Sequence, residues 1–373
     1  MKILVLSCNT GEGHNAAGRA MVEWARLLGH EAEMVDMMGL AGPRVSKMVG
    51  GAYVETVRCA PRVFHALYCA GGKLSSPERR SPVYYANRLV AEPLLGYLEK
   101  HPADVILSPH LFPAETLTYI KEKGLASLPV LAISTDYTCI PFWEETRCDG
   151  YVIPHPALVE EYVARGISRE KLYPLGIPVR PEFAHREERS RARALCGLPQ
   201  DGNALLVMGG SMGFGKIHLF VRELLRRRVP GDSVVIVCGS NQRLKKTLER
   251  LFSGEDRVFI LGFTREVPLY MDACDVIFTK PGGLTSTEAA AKGIPMVHTA
   301  PIPGCETANL QFFGSRGMSR PARTIEEQLK AGRELLEKSR REAMTRAQQA
   351  NVDPRSAVKI LELAEKMVQE RQE

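Results

Sequence analysis

The 373-residue chain contains no run approaching the roughly 20 unbroken apolar residues that a membrane-crossing helix needs, and no cleavage region follows its first apolar segment. A soluble, intracellular protein is therefore expected. Its nine cysteines (8, 59, 69, 139, 148, 196, 238, 274 and 305) form no C-x-x-C pair and no close Cys/His set. That spacing argues against a zinc site or a disulfide framework and predicts reduced, mostly buried thiols. The glycine-rich "GGSMGFGK" is not a Walker A loop, because Ile217 stands where Ser or Thr must follow Lys216. A clear D-x-D motif is missing too, and no nucleic-acid-binding motif accompanies the basic residues.

The net charge of +6 is unevenly distributed. Residues 41–100 hold nine Lys and Arg against four acids, an excess of five, together with Tyr53, Phe64, Tyr68, Tyr84, Tyr85 and Tyr97. Val45, Met48, Val49, Ala52, Tyr53 and Val57 recur at helical spacing within it. Such a stretch suits either an ordinary solvated helical face or an anionic membrane surface.

Short apolar runs alternate with helical segments, beginning with "KILVLSC" and a helix over 15–29, and continuing through "DVILS", "VLAIST" and "GYVIP". This is the signature of parallel βαβ units. The pattern breaks at 177–203, rich in proline, charge and turn residues, and restarts with "ALLVMGG", "SVVIVCG", "VFILGF", "DVIFTK" and "PMVHT". Two doubly wound α/β domains are expected: 1–180, a linker over 181–202, and 203–345. A helix within 346–373, beginning near Pro354, is expected to return toward the N-terminal domain.

In open parallel sheets ligands bind beyond the carboxyl ends of the strands, and four loops there stand out. "NTGEGHNAAG", residues 9–18, fits G-x-G-x-x-A through Gly11, Gly13 and Ala16, with Asp36 twenty residues beyond Ala16. This weak fingerprint would suit a nicotinamide-dependent oxidoreductase. Alternatively His14, kept neutral by the dipole of the helix it opens, is a general base. The second loop offers Gly209, Gly210, Ser211, Met212, Gly213 and Gly215 to a diphosphate. The third, "TKPGGLTSTEAAAKGIP", places Gly282, Gly283, Leu284 and Thr285 at a helix start. Thr285 and Glu288 match a capping box there, but Glu288 could equally accept ribose hydroxyls. In the fourth, "PIPGCETANLQFF", Glu306 and Asn309 lie one helical turn apart and could grip sugar hydroxyls or cap a helix.

The segments "SCNTGEGHNAA", "STDYTCIPFW" (134–143), "KPGGLTSTEA" (280–289) and "PIPGCETAN" (301–309), in this order, resemble the monogalactosyldiacylglycerol synthase and processive diacylglycerol glucosyltransferase group of family 28 glycosyltransferases. More distantly the chain is similar to the N-acetylglucosaminyltransferase that forms lipid II. The resemblance spans residues 1 to about 320. It implies the GT-B fold, two Rossmann-like domains facing a central cleft, and transfer of a hexose from a UDP-sugar to a membrane lipid, diacylglycerol foremost, with inversion to a β-glycoside. A polyprenol-linked lipid is the other acceptor it admits. By resemblance the loops at 209–215 and 282–283 hold the diphosphate, Glu288 the ribose, Phe263 and Thr264 the uracil, and Glu306 and Asn309 the sugar. His14 becomes the base, with Gly11, Gly13, Asp136 and Trp143 on the acceptor side. No cofactor and no metal are implied. Residues 41–100 would dock the enzyme on the anionic inner face of the cell membrane.

Overall fold

The computed structural model describes residues 1–9, 11–42, 76–77, 80–209 and 217–372. The helical pattern expected over 45–57 lies outside them. The chain divides into two compact units: Met1–Pro181 with Ile302–Cys305 and Asp353–Glu373, and Glu182–Pro301 with Glu306–Val352. Each is a six-stranded parallel sheet flanked by helices.

The first sheet comprises β1 (Lys2–Ser7), β2 (Glu31–Asp36), β3 (Val105–Ser108), β4 (Val130–Ile133), β5 (Gly150–Val152) and β6 (Leu172–Tyr173), in the order β2-β1-β3-β4-β5-β6. The interior strands read as continuous apolar runs because helices cover both faces; β1, β3 and β4 are buried almost throughout. The helix Glu12–Leu27 packs through Ala17, Ala20, Met21 and Ala25, all with no exposed surface. Gly18 permits its close approach to the sheet, since a Cβ there would lie 3.0 Å from Met34 Sδ and 3.2 Å from Val5 Cγ1. The C-terminal helix Ser356–Gln372 joins the same core: Ala357, Ile360, Leu361 and Ala364 are buried with Ile3, Val5, Met21 and Val105. Full burial of a side chain such as Ile360 or Leu361 stabilises by about 1.5–3 kcal/mol, so this helix is an integral layer of the first unit.

The second sheet comprises β7 (Ala204–Met208), β8 (Ser233–Val237), β9 (Val258–Leu261), β10 (Val276–Thr279), β11 (Met296–His298) and β12 (Arg320–Pro321), in the order β12-β11-β10-β7-β8-β9. The two-residue strands β6 and β12 are too short for sequence periodicity to register. In both sheets the chain order reverses beside the founding strand, between β1 and β3 and between β7 and β10, and a crevice opens at the carboxyl edge at such a point.

The stretch expected as a linker over 181–202 differs from that reading. Its helix Arg189–Leu195, capped by the Glu188 carboxylate accepting from the Ser190 and Arg191 N–H groups, is built into the second unit. Arg193, 2% exposed, meets Asp275 Oδ2 at 3.0 Å and donates to the carbonyls of Ala273, Pro199, Gln200 and Gly202. A charge run expected in a linker thus contains one residue whose guanidinium is bonded in the interior. Removing one partner of a buried pair leaves the other uncompensated. Arg193→Ala is expected to lower unfolding free energy by about 3 kcal/mol in urea titration; a loss below about 1 kcal/mol would show that Arg189 and Arg341 replace it.

Candidate active site

In the first unit the loops after β1 and β3 meet at the switch point. Gly11 precedes the first helix without any side-chain cap, so the N–H groups of the opening turn are not satisfied by a capping residue. A Cβ on Gly13 would meet nothing within 4 Å, leaving that side open. The loop is held from below by a side-chain relay. Ser7 donates to Asn15 Oδ1 at 2.7 Å, Asn15 Nδ2 to Asn9 Oδ1 at 2.9 Å, and Asn9 Nδ2 to Asp36 Oδ2 at 3.3 Å. Asp36, the acid that a dinucleotide site would use, is therefore tied into the loop's support.

His14 is half-buried in the helix's first turn. Its Nδ1 lies 3.0 Å from the carbonyl oxygen of Pro109 and 2.9 Å from Thr135 Oγ1. A carbonyl can only accept, so Nδ1 carries the proton and Nε2 keeps the free lone pair. Loss of hydration on burial lowers the His14 pKa below its ordinary 6.5, while the Asp136 carboxylate and the Pro109 carbonyl act in the opposite direction. The ring also meets His110 edge-on, with centroids 4.5 Å apart. His110, buried and accepting the Phe112 N–H at 3.1 Å through Nδ1, has its pKa pushed well down by burial and then by His14. Two adjacent neutral imidazoles result. His110 was not anticipated; its signal was a histidine directly past the strand "VILS", at the edge where β3 ends. Trp143, expected on the acceptor side, is only 3% exposed and packs edge-on against Tyr151. It acts in the interior, as an anchor of the 134–143 loop.

In the second unit, Gly209 is described and buried, whereas Gly210, Ser211, Met212 and Gly213 lie outside the described residues. The loop after β10 leads into the helix Gly283–Lys292, whose N-cap is Gly282 without a side-chain cap. A Cβ at Gly282 would meet nothing within 4 Å, so the approach beside the helix start is unobstructed there, and first-turn N–H groups without a side-chain cap suit an anion. The capping-box alternative for Thr285 and Glu288 is corrected here. Because the helix begins at Gly283, Thr285 is its third residue and cannot be the cap; both side chains are half-buried. Among the described residues, Thr324 and Glu327 do form a capping box. Leu284 is 7% exposed and packs inward. Ser286, fully buried, is 2.9 Å from His298 Nε2 and ties the helix's opening to β11; burial drives the His298 pKa down to about 3.

The third and fourth loops, separate in sequence, converge. Glu306, 7% exposed, pairs with the Lys280 ammonium, and Asn309, with no exposed surface, donates from Nδ2 to the Pro281 carbonyl at 3.1 Å. The helix Cys305–Ser315 thus grips both residues before Gly282. Lys280 had no expected role, although it lies inside a quoted motif. Phe263, beyond β9 and two strands from β7, is 71% exposed, while Thr264 Oγ1 accepts the Glu266 N–H at 3.0 Å and caps the following turn. Among the described residues, no group of three His, Cys, Asp or Glu could hold a metal ion, and no helix is long and apolar enough to cross a membrane.

Known proteins resemble the chain over both of its units. Residues 14–179 match the family described as monogalactosyldiacylglycerol (MGDG) synthase, and residues 204–360 match the glycosyltransferase family 28 C-terminal domain. The processive diacylglycerol beta-glucosyltransferase of Staphylococcus saprophyticus is 27% identical over 87% of this chain and 82% of its own length. That of Bacillus subtilis is 27% identical over 90% and 87%. MurG of Acinetobacter baumannii superimposes with a TM-score of 0.62 at 15% identity, over 98% of this chain and 99% of its own. A UDP-GlcNAc 2-epimerase of Neisseria meningitidis also gives 0.62 at 15% identity, over 98% and 100%. The two doubly wound sheets define a GT-B protein. The chain belongs to the family 28 glycosyltransferases, in the group of the MGDG synthases and processive diacylglycerol glucosyltransferases, and is a transferase enzyme. That membership overturns the oxidoreductase alternative for the first glycine loop.

Asn309 sits where loss of its amide leaves the buried Pro281 carbonyl without this donor. Asn309→Ala is expected to destabilise the protein by about 1–3 kcal/mol in urea titration. An unchanged midpoint would mean that the bond to Pro281 is not formed in solution.

Proposed function

We propose that the protein transfers a hexose from a UDP-sugar to a membrane lipid, diacylglycerol foremost, by a single inverting displacement that yields a β-glycosyl-diacylglycerol. The observation that carries this reading is the 3.0 Å contact of His14 Nδ1 with the Pro109 carbonyl, which favours the neutral tautomer that leaves Nε2 as a base. Diacylglycerol is the acceptor in the names of the Staphylococcus and Bacillus relatives, and a UDP-glucose complex is known for the similarly folded HepE of Anabaena, with a TM-score of 0.56.

A lipid hydroxyl is too weakly acidic to attack unaided. His14 Nε2 takes its proton as the oxygen bonds to the anomeric carbon, and the bond from that carbon to the UDP oxygen breaks. Negative charge grows on the departing diphosphate. The free N–H groups and dipole at Gly282 and Gly283 stabilise it, with Gly209 to Gly213 contributing further backbone donors. Lys280, held against Glu306, adds a cation to the same turn. Glu288 receives the ribose, exposed Phe263 with Thr264 the uracil, and Glu306 the sugar, while Asn309, bound to the Pro281 carbonyl, supports that loop from the interior. Gly11, Gly13 and Asp136 form the acceptor side. Residues 41–100 dock the enzyme on an anionic membrane, a role to which exposed Tyr85 and Leu89 contribute, with Arg88 lying 5.1 Å from the Tyr85 ring centre. This assigns the protein to the cytoplasmic face of the membrane.

The decisive assay offers UDP-glucose, UDP-galactose and UDP-N-acetylglucosamine with diacylglycerol or a polyprenol-linked lipid in vesicles. Release of UDP with formation of a glycosyl-diacylglycerol is expected, and no release from any combination would sink the reading. His14→Ala is expected to lower kcat by about 100-fold or more while leaving UDP affinity within about twofold. Because the His14 pKa is depressed, its basic form persists as pH falls below 6.5. The acid limb of kcat/KM is therefore expected below 6.5, and an inflection above it would assign another base.

Docking is checked by vesicle sedimentation. Binding to phosphatidylglycerol is expected to weaken as salt rises, and a Tyr85→Ser, Leu89→Asp variant to weaken it about tenfold, equivalent to about 1.4 kcal/mol. Binding insensitive to both salt and substitution would remove the docking role.

A further inference from the structure

The second unit carries a cavity of about 440 Å³ on the side of its sheet away from the glycine loops. Its floor includes Asp275, which precedes β10, and Pro295, which precedes β11, so it lies at the amino edge, whereas the loop at Gly282 follows β10 at the carboxyl edge. Helices Val267–Ala273, Gly283–Lys292 and Lys338–Asn351 supply other lining residues.

The cavity's cations exceed what its acids need. Asp275, 1% exposed, carries one negative charge, yet three guanidinium groups converge on it: Arg193 at 3.0 Å, Arg189 at 2.8 Å and Arg341 at 3.3 Å. Arg193 is buried and already balances that charge. Arg189 and Arg341 are 43% and 34% exposed and line the cavity. Lys292 is matched by Asp272 at 2.6 Å, both with no more than 3% exposure. The remaining acids in the wall have outward partners: Glu187 lies 3.7 Å from Arg191, and Glu342 3.9 Å from Lys338. Arg186 and Arg346 also line the cavity and make no ion pair among the described residues. Arg186 lies across the end of the Gly283–Lys292 helix. A Cβ at Gly293, whose φ is +65°, would come within 2.7 Å of its Nη2, and this glycine lets the guanidinium settle there.

Four arginines therefore face one space: Arg189 and Arg341 share the single Asp275 carboxylate with Arg193, and Arg186 and Arg346 make no ion pair among the described residues. The single lysine is the cation already paired. Guanidinium forks offer paired, planar donors suited to phosphate oxygens, and assembling like charges without a counter-ion is unfavourable. The crowding registers on the residues themselves: the Arg189 pKa is lowered by burial, with Arg193 and Arg341 adding to the effect against Asp275.

We infer that this cavity is a binding site for a phosphate-bearing anion, held by Arg186, Arg189, Arg341 and Arg346 and distinct from the diphosphate turn at Gly282. Its volume falls in the range of small-ligand pockets. The phosphate belongs either to a free small molecule or to an anionic lipid headgroup, and the same four side chains serve both.

The test uses the full chain, with inorganic pyrophosphate and glycerol 1-phosphate titrated calorimetrically in the presence of excess UDP, and with phosphatidylglycerol vesicles as a second arm. Binding of either soluble anion, weakened at least tenfold by an Arg186→Ala, Arg346→Ala pair and several-fold by the charge-conserving Arg341→Lys, is the expected result. Both substituted residues of the pair are exposed, and its unliganded melting temperature, matching the parent's, checks folding. If phosphatidylglycerol vesicles lose affinity in the pair and are released by pyrophosphate, the phosphate is a headgroup's. If soluble anions bind through these arginines and vesicle binding is unchanged, it is a free molecule's. The inference is overturned if pyrophosphate, glycerol 1-phosphate and vesicles all bind the pair as they bind the parent, or if none binds the parent. Since the readout follows these arginines and not catalysis, an inactive enzyme that binds pyrophosphate here would reject the proposed reaction while retaining this site.

Discussion

Every strand in both sheets runs parallel to its neighbours, and this constraint governs the rest of the structure. Parallel pairing forces each connection across a face and brings all strand ends of one kind to one edge. Where the order reverses, two successive loops are left side by side with no crossover between them. His14 and Pro109 meet because β1 and β3 are neighbours. Gly209 after β7 and Gly282 after β10 share an edge because those strands are neighbours as well. Neither juxtaposition requires a special side chain to create it. Side chains only refine it, as the Pro109 carbonyl does in fixing which imidazole nitrogen is protonated.

The alternation of short apolar runs with helical segments was legible because strands buried on both faces cannot hide their composition. The nine runs quoted from the sequence all correspond to strands here, whereas Leu172–Tyr173 and Arg320–Pro321, which escaped, hold two residues each. The segment around 181–202 misled for a physical reason. Arg193 is indistinguishable in sequence from its more exposed neighbours Arg189 and Arg191, and its partner in the interior, Asp275, lies eighty-two positions away. Motif spacing resolved the loops but not their internal contacts. The four-residue interval from Thr285 to Glu288 looked like a capping box, yet the helix starts two residues earlier at Gly283. An unencumbered glycine N-cap exposes the N–H groups that a threonine cap would have occupied.

The same reasoning explains why some expected ligand-facing residues lie inside. Asn309 and Trp143 occupy family motifs, yet one is bound to a backbone carbonyl and the other is packed on a tyrosine. A motif marks a place where chain geometry is demanding, and part of that demand is met by residues that shape a loop from behind. Lys280 and His110 make the complementary point. Each touches a residue singled out in the sequence, Glu306 or His14, and neither could be assigned before the contact was seen.

The C-terminal helix gives the first unit a consequence in the order of synthesis. Ala357, Ile360, Leu361 and Ala364 complete a core whose other members lie mostly within the first 152 residues. A ribosome therefore releases the N-terminal sheet with one apolar face uncovered and must make the chain through Ala364 before that face can close. The second unit, contained within Glu182–Val352, has all its residues available earlier. Domains ordinarily fold from the N-terminus as they emerge; in this chain the later-made unit can reach its finished state first.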